Sequence, residues 1–181
     1  MHRVVLGLGS NKSYKDFSPI FILRFACREL RHVLDNPLFS SVYKSRAMYL
    51  TEQDDFYNMA VTGYFSGSPE ELLAVCHSIE AAYGRDRSCE VRNGPRSLDL
   101  DIELYGEEKI SRADLTIPHE RLMEREFVLR PMLEILSLCA DVRREDLEKY
   151  RAALLSLGNQ GLVMFQDQKE FTEALYGGNI G

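Results

Sequence analysis

From Leu98 to Leu104 every second residue is leucine or isoleucine, and every residue between them is a carboxylate: Asp99, Asp101 and Glu103. Side chains alternate faces along a strand, so this pattern specifies one apolar and one acidic strand face. The reading puts Leu98, Leu100, Ile102 and Leu104 on the core face and the three acids on the other. Aspartate is a poor strand former, and like charges on one face repel. Two aspartates at i and i+2 stand roughly 6–7 Å apart, close enough to share a site. A hard cation such as Mg²⁺, which takes oxygen ligands, is the simplest compensation. For an isolated D-x-D the competing reading is a solvated acidic face.

The residues just upstream carry the opposite charge. Arg85, Arg87, Arg92 and Arg96 fall in one short loop, partly offset by Asp86 and Glu90. The planar guanidinium fork suits phosphate oxygens. Carboxylates for a cation beside arginines for phosphates meet the electrostatic demand of phosphoryl transfer. A solvated charged loop is the alternative. His119 follows a proline that fixes the backbone, with Arg125 and Phe127 downstream. A lone histidine is more often structural than catalytic, so its company matters. Phe56 and Asn58 share a strand face and Tyr57 takes the other. A ring beside an amide suits a flat heterocycle. Core packing is the better reading of Phe56 alone, whereas a mid-strand Asn58 needs partners. There is no P-loop or protein-kinase signature, and Gly7 and Gly9 are too sparse for a dinucleotide fingerprint.

Around these motifs the chain reads as alternating elements. Arg3–Leu8 is a buried strand, broken at Gly9-Ser10-Asn11. Ser18-Pro19 starts a helix with Leu23, Ala26, Cys27, Leu30, Val33 and Leu34 on one face, and Asn36-Pro37 stops it. Leu38–Tyr43 and Phe56–Phe65 are strands around a long polar loop, Lys44–Asp55. Ser68-Pro69-Glu70-Glu71 is a capping box for a helix carrying Leu72, Cys76, Ile79 and Tyr83, ended by Gly84. After the loop Arg85–Pro95, Leu98–Tyr105 is the fourth strand. Helices follow over Val128–Leu138, with Pro131 in the first turn, and over Arg143–Leu157. The order β-α-β-β-α-β predicts an α+β ferredoxin-like domain: an antiparallel sheet with helices on one face, plus a helical C-terminal extension.

A chain of 181 residues suffices for one domain with a full core. Its net charge of −6 argues against general nucleic-acid or membrane-surface affinity, so an anionic ligand needs a local basic cluster. Cys27, Cys76, Cys89 and Cys139 form no C-x-x-C pair. Cys27, Cys76 and Cys139 read as reduced core fillers. No signal peptide or membrane-spanning run is evident, and the expected address is the cytoplasm.

GLGSN at 7–11, FYNMAV at 56–61, IEAAYGRDR at 79–87, GPRSLDLDIELYG at 94–106 and IPHERLMEREFVLRPMLEI at 117–135 stand in the order and spacing of one family. Over roughly residues 3–140 the chain resembles 6-hydroxymethyl-7,8-dihydropterin pyrophosphokinase, an enzyme of folate biosynthesis. The resemblance implies a ferredoxin-like fold, a monomer or weak dimer, and transfer of the β,γ-pyrophosphoryl unit of ATP to the pterin hydroxymethyl group, leaving AMP. It implies two Mg²⁺ ions on Asp99 and Asp101. Arg85, Arg87 and Arg96 correspond to arginines that contact ATP or serve the transition state. Glu80, Ile102, His119 and Arg125 correspond to other ATP-site positions. Ser45, Met48, Phe56, Asn58 and Phe127 correspond to the pterin pocket, with the ring between the two aromatics and hydrogen-bonded by Asn58.

The chain departs from that pattern at Asn93, often tryptophan in the family, in a loop that is longer by about one residue. Both differences bear on loop closure. At Glu120 an aromatic is usual, and no contact is carried over. The expected organisation is one pyrophosphokinase domain over 1–160 and a tail over 161–181 without an assigned role. An RNA-binding module predicts exposed sheet aromatics and a basic surface, which the acidic strand opposes. A degenerate homologue that binds pterin or nucleotide without turnover is the remaining alternative.

Overall fold

The apolar run near the N-terminus becomes the centre of a sheet. In a computed structural model describing residues 1–47, 52–86 and 94–177, β1 (His2–Ser10) pairs along its length with β4 (Phe56–Phe65). Its other edge pairs with β5 (Asp99–Tyr105). β2 (Asp35–Phe39) and β3 (Val42–Ser45) lie end to end on the far side of β4, and β8 (Val163–Gln166) pairs with β3. All these pairings are antiparallel, in the order β5-β1-β4-β3-β8. β6 (Ile110–Ser111) and β7 (Thr116–Ile117) form a separate short ladder.

Alternation along β1 sorts the helices onto two faces. Val4, Leu6 and Leu8 are buried in one cluster with Ile22, Leu23, Ala26, Cys27 and Leu30 of α1 (Pro19–Val33) and with Leu72, Cys76 and Ile79 of α2 (Pro69–Ala82). Val5 belongs to a second cluster with Leu129, Met132 and Leu133 of α3 (Glu126–Leu136) and Tyr150 of α4 (Arg144–Leu157). The βαββαβ unit therefore has its own helices on one face, as expected, while the C-terminal extension covers part of the other. At the cavity end that second face is floored by Gly7 and Gly9 of β1.

Several local expectations change in detail. The capping box is present: Ser68 Oγ accepts from the Glu71 amide at 3.2 Å, and Glu71 Oε2 accepts from the Ser68 amide at 2.6 Å. Ser18 precedes Pro19 as expected, yet its side chain caps nothing. Asn36-Pro37 does not stop α1, which ends at Val33. It sits at a register break between Asp35 and Leu38, where proline's missing N–H costs no ladder bond. The expected strand Leu38–Tyr43 is divided at Ser40-Ser41, and Lys44 and Ser45 belong to β3 rather than to the loop. Glu134 of α3 holds that break, accepting from Ser41 Oγ at 2.7 Å and from Tyr43 OH at 3.0 Å. Pro131 falls in the second turn of α3, where burial of its neighbours Leu129 and Met132 outweighs one lost bond.

Leu104 corrects the simple alternation. Val5 pairs with Leu104 and Leu6 with Ile102, leaving Glu103 as the extra residue of a β-bulge. Glu103 and Leu104 thus share the second face, and Tyr105 takes the core position instead.

The segment after residue 160, expected only as a tail, carries β8 and α5 (Gln168–Tyr176). Phe171 and Leu175 of α5 are buried in the first core cluster. Gln168 Nε2 donates to Phe39 O at 2.8 Å. At the other end of α4, Gln160 and Glu126 bond reciprocally at 2.8 and 2.9 Å. Cys27 and Cys76 are buried free thiols, whereas Cys139 is half-buried; Cys89 lies outside the described residues. Among the described residues no helix is long and apolar enough to cross a membrane.

Arg3 ties β1 to the turn after α3 through two bonds to Asp141, at 2.6 and 2.9 Å. The Arg3 hydrogen bonds, helped by Tyr64, hold the Asp141 carboxyl down at about 2. A depressed folded pKa stabilises above the unfolded value and is lost as pH falls through the folded one. The Asp141 side chain is 45% exposed, so solvent screening leaves the pair about 1 kcal/mol at most. Arg3→Ala is expected to destabilise by that amount at pH 6, with the difference from the unsubstituted protein vanishing between about pH 4 and 2 in urea titrations.

Candidate active site

A cavity of about 270 Å³ opens on the second sheet face, where the chain supplies no side chain from β1. Gly7 and Gly9 are its floor. A Cβ on Gly7 would stand 2.9 Å from Glu103 Oε1, and one on Gly9 would touch Asn58 and Asp99. Asp99, Asp101 and Glu103 of β5 line one side. Phe56 and Asn58 of β4, with Ser45 of β3, line the other. Arg125 and Phe127 enter at the start of α3, and His119 from the segment after β7.

Charge is arranged asymmetrically among the acids. Asp99 is clamped by two arginines: Arg85 Nη1 donates to Oδ1 and Arg96 Nη1 to Oδ2. Burial pushes its pKa up, but Arg96 and Arg85 outweigh that and hold it below the usual value. Arg85 is itself positioned by Glu80 of α2, a buried side chain that also accepts from the Leu100 amide at 2.8 Å. Asp101 has no hydrogen bond or ion pair to another described residue. Burial, then the charge on Asp99, pushes it up to about 7 despite Arg125 and Arg85. Glu103 is pushed well up by the same two causes, burial first and then Asp101, and its Oε2 is buried without a hydrogen-bond partner.

His119 is fixed at both ends. Its amide donates to Glu103 O at 3.1 Å, and its Nδ1 accepts from the Arg121 amide at 3.2 Å. Nδ1 is thus an acceptor, which places the proton of the neutral ring on Nε2. Burial, then Arg125, lowers its pKa. The 3.9 Å approach of Nδ1 to Glu103 Oε2 is accordingly not an ion pair. Asn58 Nδ2 donates to Ser45 Oγ at 2.9 Å. Asn11 latches the surrounding loops: its Nδ2 donates to Asp54 O at 3.0 Å and its Oδ1 accepts from the Arg96 amide at 2.8 Å.

The sequence profile of the family 7,8-dihydro-6-hydroxymethylpterin-pyrophosphokinase (HPPK) matches residues 5–137. The chain belongs to that family. Among its HPPK relatives, the Synechocystis 2-amino-4-hydroxy-6-hydroxymethyldihydropteridine pyrophosphokinase is 40% identical over 145 residues, which cover 78% of this chain and 70% of the relative. The corresponding Bacillus subtilis protein is 44% identical over 106 residues, 59% of this chain and 60% of that one. A mitochondrial folate synthesis bifunctional protein of Arabidopsis thaliana is 40% identical over 144 residues, 77% of this chain. Those residues are 24% of the Arabidopsis protein, so this chain spans about a quarter of such bifunctional relatives. Among solved structures, a Plasmodium falciparum HPPK-DHPS superposes with a TM-score of 0.58 at 13% identity, covering 86% of this chain and 43% of that one, a likeness of fold.

Set beside the residues expected from the HPPK motifs, the cavity brings together Arg85, Arg96, Asp99, Asp101, His119, Arg125, Ser45, Phe56, Asn58 and Phe127. Glu80 and Ile102 stand apart from it. Glu80 acts on the cavity through Arg85, which it pairs with, and the Ile102 side chain is buried in the first core cluster. Arg87, Met48, Arg92 and Asn93 lie outside the described residues. Glu120, at which no contact is carried over, is exposed. Glu103, Arg46 and Gln53 line it without having been singled out. Glu103 had a signal, as the third acid of the alternating run, but its bulge was not legible.

Asp99 and Asp101 suit a divalent cation. Both offer hard oxygen donors, and the half-buried Asp101 side chain makes no hydrogen bond or ion pair to another described residue. No three His, Cys, Asp or Glu side chains among the described residues are arranged to hold a metal alone. Mg²⁺ sites use one or two carboxylates and leave other positions to water and phosphate.

Proposed function

We propose that this chain transfers the β,γ-pyrophosphoryl unit of ATP to the hydroxymethyl oxygen of 6-hydroxymethyl-7,8-dihydropterin, a step in folate biosynthesis. The pterin oxygen bonds to the β-phosphorus, the bond from that phosphorus to the α,β-bridging oxygen breaks, and AMP leaves. The hydroxyl proton passes to solvent. What supports the reading is a single cavity with two chemistries. Arginines and aspartates stand at one side, and two aromatic rings with an amide at the other.

In this reading Phe56 and Phe127 sandwich the pterin ring, and Asn58, oriented by Ser45, hydrogen-bonds its edge. Arg85 and Arg96 carry the charge that meets the triphosphate, joined by Arg125, whose Nε is buried without a partner. His119, neutral with its proton on Nε2, donates to a phosphate oxygen. Asp99 and Asp101 would hold Mg²⁺, two ions being expected. When bound, Mg²⁺ neutralises phosphate charge as it builds in the transition state. No general base is needed where positioning and charge do the work. A cytoplasmic, monomeric or weakly dimeric enzyme without nucleic-acid or membrane partners completes the proposal.

The test is AMP release from ATP and Mg²⁺, with and without 6-hydroxymethyl-7,8-dihydropterin. Pterin-dependent AMP is the expected result. Binding of both ligands by calorimetry without AMP release would replace the reading with that of a non-catalytic homologue.

A further inference from the structure

The mechanism above leaves the Glu103 carboxylate unused, and four observations meet there. Glu103 is the extra residue of a β-bulge in β5 and lines the cavity with Asp99 and Asp101. The missing side chain of Gly7 gives its carboxylate room, since a Cβ would stand 2.9 Å from Oε1. The residue is 1% exposed. Its Oε2 is buried with no hydrogen-bond partner, and the residue lines the cavity together with Asp101. Burying a carboxylate without a partner is costly, so such a group calls for a positive ligand.

We propose that Asp101 and Glu103 form a two-carboxylate subsite for one divalent cation, competent before nucleotide arrives. Asp99 is the least available of the three acids, because Arg85 and Arg96 already occupy its oxygens. Two carboxylates leave the remaining positions of a hard cation to water and to phosphate oxygens. Arg125, which lines the same cavity, supplies a neighbouring position for an anion. The subsite thus seats a cation next to the group that receives a phosphate. It rests on the proposed placement of a cation at the β5 carboxylates.

Mn²⁺, titrated by calorimetry into the full chain without nucleotide, tests this. The unsubstituted protein is expected to bind Mn²⁺, with Glu103→Gln and Glu103→Leu each weakening it about tenfold or more. Asp101→Asn is expected to weaken it as well. Unchanged Mn²⁺ affinity in both Glu103 variants, with loss in Asp101→Asn, overturns the role of Glu103 and leaves the cation reading of Asp101 standing. Unchanged affinity in all three variants, or no Mn²⁺ binding by the unsubstituted protein, overturns the subsite. Thermal melting without metal gives an independent readout. Glu103→Leu removes a buried unpartnered carboxylate and is expected to melt at or above the unsubstituted protein, while losing stabilisation by added Mg²⁺. If the leucine variant does not fold, Glu103→Gln carries both readouts. Melting lowered in Glu103→Gln with Mn²⁺ affinity intact marks a structural role and overturns the proposal.

Discussion

Asp101→Ala is expected to lower pterin-dependent AMP release about 10³-fold, the several kcal/mol that a charge-neutralising cation contributes to a transition state. The choice of Asp101 over Asp99 follows from the charge network. Removing Asp99 would strip a shared partner from Arg85 and Arg96, and any loss of rate would mix cation binding with displaced arginines. Asp101 makes no hydrogen bond or ion pair to another described residue, so its removal leaves the described contacts in place. Burial and the neighbouring Asp99 already disfavour its ionised form. The substituted protein should therefore melt at the same temperature or higher when metal is absent. Steady-state AMP assays and thermal melting would be run on the same preparation. A variant that retains a tenth of the rate would rule out a central role for Asp101. A large fall in melting temperature would make it a structural residue instead.

Glu80→Ala is expected to destabilise the fold by about 3–5 kcal/mol, the range found when one partner of a buried ion pair is removed. Glu80 is 1% exposed, and the Arg85 side chain beside it 8%. One carboxylate oxygen of Glu80 serves both the Arg85 guanidinium and the Leu100 amide of β5. Alanine would leave the buried Leu100 amide unpaired and remove one carboxylate partner of Arg85, which keeps Asp99. Glu80→Gln keeps an acceptor for the amide and should cost less, about 1–3 kcal/mol. Urea midpoints for the three proteins give the comparison. Turnover measured on folded protein should fall in both variants, because Arg85 loses the contact that aims it at the cavity. Equal midpoints for all three would show that the network carries no stability.

Elements whose signal lies within one segment were legible in the chain. Phe56–Phe65 forms a strand over that span. The Ser68–Glu71 capping box starts α2, and Leu157 ends α4. Alternation from Leu98 to Ile102 put Asp99 and Asp101 together on one face, and those aspartates line the cavity. Pairing partners decided the rest. Leu104 left the expected core face because β1 takes up one residue fewer than β5 at Val5-Leu6. The run Leu38–Tyr43 split because Glu134, far along the chain, offers its carboxylate to Ser41. Pro37 entered a strand because the register breaks beside it.

Residue types and their short-range spacing therefore determined the elements, the βαββαβ order and the chemical character of the site: acids on one strand face, arginines before it, an aromatic-amide pair elsewhere. Only the tertiary structure decided what those groups do to one another. It set Asp99 between two arginines and left the carboxylates of Asp101 and Glu103 without a hydrogen-bond partner among the described residues. It let two glycines of β1 open the floor, and it packed the segment after residue 160 into the sheet and core. The physical reason is that periodicity and capping act within a few residues of chain, whereas burial, register and electrostatic partnership depend on groups brought together from distant segments.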